Sequence, residues 1–217
     1  MGGGGDGGTG DPCGLGPGTT PPATEPLIVG YHLSSPSYGL EMNGGPPLTG
    51  GPLSSGPVVT SCGGSSANFD GSSSYLSGTA SSASGSLATK SSSMTVSAWV
   101  YVDTALLPPP NAALVSTING TTGFFLGMDS TGANVTFSVY QPGGILKSIT
   151  TTGTPATGWH RITAKYNGAN MAMVLDGTPV SSTPVSGPFS PSGTLSIGRS
   201  STAYWRGSVG EVRVYAM

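Results

Sequence analysis

The 217-residue sequence predicts an all-β fold of many short antiparallel strands, closed as a sandwich, a jelly roll or a barrel. Three observations carry that prediction. Apolar and polar residues alternate at a period of two in one run after another. Asx-Gly and Pro-Gly turns separate the runs, and no stretch joins a 3.6-residue apolar period to helix formers and caps.

Residues 1–26 hold 15 Gly or Pro and almost nothing to bury, so they read as a Gly/Pro-rich flexible arm that stiffens at Pro21-Pro22. Leu27 to Leu33 is the first expected strand. Residues 34–66 read as loop, because Pro46-Pro47, Gly50-Gly51-Pro52 and Gly56-Pro57 interrupt any regular element; Val58-Val59-Thr60 is a short strand within it. From Asn68 the character changes. Met94, Val96, Ala98, Val100 and Val102 share one face of a strand whose other face carries Trp99 and Tyr101, and Trp99 is expected to be a buried large aromatic. Val135, Phe137 and Val139 alternate, as do Ile162, Ala164 and Tyr166, then Met171, Met173 and Leu175, then Leu195 and Ile197. The last run spans Val209 to Tyr215. Turns fall at Asp70-Gly71, Asn119-Gly120, Pro142-Gly143-Gly144, Asn167-Gly168 and Asp176-Gly177.

Composition excludes several functions. Charged residues make up 7% of the chain, against about 25% in an ordinary soluble domain. Ser and Thr number 58, so hydroxyls wet the surface in place of charges. Seven basic residues without a cluster cannot form a phosphate-tracking face, so no nucleic-acid partner is expected. No apolar run approaches the roughly 18 residues of a membrane span, so no membrane partner is expected either. Met1 to Asp6 has neither the basic start nor the apolar stretch of a secretory signal, so either the mature chain begins here or the protein is made and used without Sec export. Cys13 and Cys62 do not have zinc-site spacing; free thiols are expected in a reducing cytosol, and a bridge would staple the arm to the domain.

Certain residues also resemble a known family. Phe69-Asp70-Gly71-Ser72-Ser73-Ser74-Tyr75-Leu76 resembles the opening of laminin-G-like, concanavalin A-type jelly rolls. Met94–Val100, Trp159-His160-Arg161-Ile162, Tyr166-Asn167-Gly168, Leu175-Asp176-Gly177, Leu195–Arg199 and Gly207–Tyr215 follow in the family's order. The resemblance implies a two-sheet antiparallel jelly-roll sandwich over residues 27–217. One departure stands out: the family's last strand opens with an Asp-Glu pair, and here the Asp position is Gly210.

Candidate chemistry is sparse. A glycosidase needs two carboxylates about 5–10 Å apart, and no two of the nine acids lie within three residues of each other. Asp70, Asn167 and Asp176 read as Asx-turn residues, and His32 and His160 as structural, so no catalytic residue and no organic cofactor is expected. Calcium is an ion the resemblance implies, since related domains hold it at the sandwich rim with one or two Asp side chains and backbone carbonyls. Its candidate ligands are Asp103 and Asp129 at rim positions, each of which also reads as a solvated turn aspartate. Candidate sugar contacts are Tyr140, Tyr204 and Trp205, although the aromatic before Gly207 also matches a position that packs against the sheet.

Three functions remain, of which a lytic or glycoside-cleaving enzyme is disfavoured by the missing acid pair. The expected one is a structural virion protein, a phage capsid decoration or head-fibre subunit made in the host cytoplasm. It docks on other virion proteins through residues 1–26, forms a homo-oligomer and displays a lectin-like domain at the virion surface, where low charge suits neutral subunit contacts. The alternative is an extracellular carbohydrate-binding or adhesion module of a secreted bacterial protein, with surface glycans as partners.

Overall fold

The computed structural model describes residues 26–33, 38–39, 41–42, 44–59 and 64–217. Residues 1–25, Cys13 and Cys62 therefore lie outside the described residues, and with them the expectations for the arm and the thiols. The described strands are β1 (Leu27–His32), β2 (Thr49–Gly50), β3 (Ser54–Val59), β4 (Gly64–Asp70), β5 (Leu76–Thr79), β6 (Ser81–Ser82), β7 (Gly85–Ser86), β8 (Met94–Val102) and β9 (Ala113–Ser116). They continue with β10 (Phe124–Met128), β11 (Val135–Gln141), β12 (Ile145–Thr150), β13 (Gly158–Tyr166), β14 (Asn170–Leu175), β15 (Thr178–Pro184), β16 (Thr194–Ile197) and β17 (Arg206–Ala216). One short 3-10 turn, Leu87–Thr89, lies between β7 and β8.

Two large antiparallel sheets result, as a jelly-roll sandwich requires. The first runs β15-β14-β13-β8-β17-β4-β3, with β1 pairing the C-terminal half of β17. The second runs β12-β11-β10-β9-β16-β5-β2. The alternation read from the sequence sets the inner faces. On the first sheet Val96 lies between Ala164 and Val214, and Ala98 between Ile162 and Val212. On the second, Phe124 faces Val139 and Leu126 faces Phe137. All of these sit in one buried core, where each large apolar side chain contributes about 1.5–3 kcal/mol.

Two expectations change, and one strand carries an irregularity. The stretch 34–66 is not all loop: β2, β3 and the start of β4 fall within it. β3 tolerates Pro57 because it is the outermost strand of its sheet, and the proline sits where the pairing to β4 is irregular. Trp99 does not face the core. It is only partly buried on the outer face of β8, with the Arg161 guanidinium 5.1 Å from its ring centre. Finally, β17 carries a bulge between Val209 and Glu211. The extra residue is Gly210, the position at which the chain departs from the family pattern. The bulge keeps Val209 and Val212 facing inward on either side of it, and Glu211 outward.

Candidate functional site

Strand register gathers outward side chains into lateral rows, because residues opposite each other on neighbouring strands share a face. Tyr101 lies between the inward Val100 and Val102, and Asn68 lies between the inward Ala67 and Phe69. Both therefore point outward. Across the first sheet Trp159 pairs with Tyr101, Tyr101 with Ser208, Ser208 with Asn68, and Asn68 with Ser54. At the usual strand spacing this row is about 19 Å long. Its aromatic end is an edge-to-face pair, Tyr101 and Trp159, with ring centres 5.6 Å apart. Its polar end is linked by hydrogen bonds, with Ser208 Oγ donating to Asn68 Oδ1 (3.3 Å) and Asn68 Nδ2 to Ser54 Oγ (3.4 Å).

The row opens into a cleft of about 570 Å³ bordered by Asn68, Asp70, Tyr101, Asp103, Leu106 and Arg206. Each wall has a local cause. Asp70 ends β4 and caps the following turn: Oδ1 accepts the N–H groups of Ser72, Ser73 and Ser74 at 2.8–3.0 Å, and Oδ2 accepts the Ser73 hydroxyl at 2.7 Å. The next residue, Gly71, has φ +79°, and a β-carbon there would stand 2.9 Å from Arg206 Nε, so the glycine lets the guanidinium lie over the turn. Asp103 caps the loop after β8 by accepting the Ala105 N–H (2.9 Å), which presents Leu106, 56% exposed, at the cleft. Arg206 has no ion-pair partner among the described residues.

The acidic groups of the cleft are engaged by their own turns. The Ser73 N–H, followed by the other donors of the turn, outweighs a smaller desolvation and holds the Asp70 carboxyl far below the usual carboxylate range. A group so ionised cannot hand a proton to a leaving group at neutral pH. The same turn logic governs Asp129 between β10 and β11. Against desolvation, which alone would raise it, the side chains of Thr131 and Asn134 and the N–H groups of Thr131 and Ala133 bring its pKa down to about 2. Both shifts are downward in the folded state. Their stabilisation is therefore present above the unfolded carboxylate pKa of about 4 and is lost as pH falls through the folded values. A thermal-melt series is expected to stay level from neutral pH to about 5 and then to fall toward pH 2, with a shallower fall in Asp70→Asn. An equally steep fall in that variant would place the acid lability elsewhere.

The structure separates the residues singled out in the sequence. Asp103 borders the cleft, whereas Asp129 lies in a turn of the other sheet with its carboxylate engaged there. Among the described residues no three His, Cys, Asp or Glu side chains converge on one point. Trp205 is 2% exposed and packed in the core, so it offers no face to a sugar. Alternation places its neighbours outward. Arg206 reaches the cleft, and Tyr204 leans on Tyr75 (6.3 Å), whose ring lies 3.8 Å under Arg199. Tyr140 sits on β11, opposite Leu146 on the second sheet, apart from the cleft. His160 bridges Asp176 Oδ2 (2.7 Å) and the Ala156 carbonyl (2.9 Å), a structural clamp. One row along from Tyr101, Glu211 is buried against Arg161 (3.2 Å), Arg213 (2.9 Å) and His32 (3.4 Å). Reasoning from the sequence missed Trp159, Tyr101, Asn68 and Ser208, although the polar-face positions of β8, β13 and β17 carried the signal.

The sequence matches the model of the concanavalin A-like lectin/glucanases superfamily over residues 70–217. No curated protein matches it in sequence. Among solved structures it resembles domain 4 of AbnA, a GH43 extracellular arabinanase from Geobacillus stearothermophilus, in complex with arabinotriose. That match has 14% identity and a TM-score of 0.65, and covers 88% of this chain and 93% of that one. It also resembles the binding domain of botulinum neurotoxin DC in complex with rat synaptotagmin II (13% identity, TM-score 0.64, 87% and 48% covered) and the receptor binding domain of botulinum neurotoxin D (13%, 0.65, 88% and 48%). The chain thus spans about half of each toxin domain. Likeness at this identity establishes the shared fold.

Proposed function

Because the chain belongs to the concanavalin A-like lectin/glucanase superfamily, we propose that it is a carbohydrate-binding module whose sugar lies along the Trp159–Tyr101 row and enters the cleft beside Arg206. The observation that carries this reading is the row itself. Aromatic side chains supply the apolar surface that the C–H faces of a sugar ring pack against, and Asn68, Asp103 and Arg206 supply directional donors and acceptors for its hydroxyls. Asp70 spends its carboxylate oxygens on the turn that follows it, so its part in this reading is to shape the cleft. The solved relative that holds arabinotriose suggests the first sugar to try.

The capsid-decoration reading rests on residues 1–26, nearly all of which lie outside the described residues, and on the low charge of the chain, which a binding module shares. A module at a virion surface and one on another extracellular surface would use the same site.

Calorimetric titration of the full chain with arabinotriose and with hits from a glycan array is the test. Trp159→Ala and Tyr101→Ala are each expected to weaken binding at least tenfold, about 1.4 kcal/mol. The melting transition should stay cooperative, because both side chains face outward. Absence of any glycan ligand, or unchanged affinity in both variants, overturns the reading.

A further inference from the structure

Sheet edges are where β proteins guard against pairing with other chains. The two large sheets end in β15, β3, β12 and β2. β15 carries Pro179 and Pro184, β3 carries Pro57, and β2 is two residues long with Pro52 just beyond it. The far side of β1 is closed by Glu41 and Met42, which bond to Gly30. Among the described residues β12 has neither proline nor a covering segment, and its one guard is a single lysine. It is six residues long, contains no proline, carries Lys147 as its one charge, and exposes Ile145 (52%) and Leu146 (48%).

We propose that β12 is the interface with a second copy of this chain, joined edge to edge about a two-fold axis at Ser148. The geometry selects both the partner and the register. The Thr151 N–H donates to the Val135 carbonyl, which fixes the hydrogen-bonding parity of the β11–β12 ladder. Ile145, Lys147 and Ile149 bond to β11, and Leu146, Ser148 and Thr150 turn their backbone groups outward. The same three side chains lie on the outer face of the sheet. An antiparallel edge is self-complementary under a two-fold axis, and a strand with a single cation offers little to an oppositely charged partner. Centring on Lys147 would set two cations opposite each other, which is unfavourable. Centring on Ser148 pairs it with itself and pairs Leu146 with Thr150 of the other copy, so every outward backbone group is used. It also joins two hydroxyl rows end to end. Within one chain, Ser77, Ser196 and Ser116 lead by register through Phe125 to Ser138 and Ser148, with Oγ–Oγ distances of 3.1 Å (Ser77–Ser196) and 2.8 Å (Ser138–Ser148).

The proposal is independent of the glycan reading. Light scattering after size exclusion of the full chain, over a dilution series, is expected to give twice the 21.4 kDa chain mass. Ser148→Pro removes an outward N–H and leaves the ladder to β11 intact, so it is expected to halve the mass at unchanged strand content. A second measurement fixes the register, in a Cys13→Ser, Cys62→Ser background. Leu146→Cys mixed with Thr150→Cys should cross-link on oxidation, and Leu146→Cys alone should not. Hydrogen-bonded pairs sit about 5.5 Å apart at Cα, within disulfide reach. A monomer at every concentration overturns the proposal. So does a dimer that survives Ser148→Pro and fails to cross-link. If Ser148→Pro does not fold, the cysteine pair decides alone.

Discussion

Trp205→Ala is expected to lower the thermal midpoint of the domain by roughly 6–20 °C. The indole is 2% exposed and is among the largest fully buried side chains of the protein. Its backbone N–H donates to the Gly198 carbonyl at 2.8 Å, which ties the approach to β17 onto the end of β16. Truncating a buried tryptophan costs about 3–5 kcal/mol in lost transfer energy and cavity formation, and each kcal/mol moves the midpoint of a domain this size by about 2–4 °C. Two controls separate core packing from chemistry. The indole Nε1 has no hydrogen-bond partner among the described residues, so Trp205→Phe keeps most of the ring while removing a buried donor, and it should cost much less. Tyr204→Ala, next door and outward-facing, should barely move the melt. Differential scanning calorimetry reads all three. A Trp205→Ala midpoint within a degree or two of the parent would show that the residue does not belong to the core.

That contrast between neighbours explains what the sequence made legible. The inner face of the sandwich is written in period-two alternation, and Met94 to Val102, Val135 to Val139 and Ile162 to Tyr166 all form strands in the expected sense. The Asx turns were equally readable, because Asp70 and Asp129 bond their own backbones over two to four residues. The candidate site was not readable in the same way. Trp159, Tyr101, Ser208 and Asn68 come from four strands, and only register puts them in one row. The bulge at Gly210 sets that register, since regular alternation through the same residues would place Ser208 and Glu211, three apart, on opposite faces. Residues 34–66 were misread for a related reason. Proline forbids a central strand and permits an edge strand, and which of the two applies depends on neighbours distant in sequence.

The second large effect should come from Glu211. It is 1% exposed on the outer face of β17, with Arg161 at 3.2 Å and Arg213 at 2.9 Å, and their side chains are nearly as buried. Two guanidiniums tolerate this proximity because the carboxylate lies between them. Removing one member of a buried ionic cluster costs about 3–5 kcal/mol, since the remaining like charges repel in a poorly screened setting. Glu211→Ala should therefore destabilise the domain about as much as Trp205→Ala, by electrostatics and with little loss of packing volume. Glu211→Gln keeps shape and acceptor and isolates the charge; it should recover part of the loss but not all of it. High salt should rescue neither variant, because the cluster is shielded from mobile ions. Denaturant unfolding at low and high ionic strength makes the comparison. A Glu211→Ala cost below about 1 kcal/mol, the scale of an exposed pair, would show that the cluster is solvated. The network also bears on the proposed site. In register Trp99 lies between Arg161 and Glu211, and Trp159 precedes Arg161 by two residues on β13. The ions thus brace the row beside the aromatic pair. A Glu211→Gln protein that still folds should bind the glycan more weakly although it touches none of it, which would mark the residue as a positioning one.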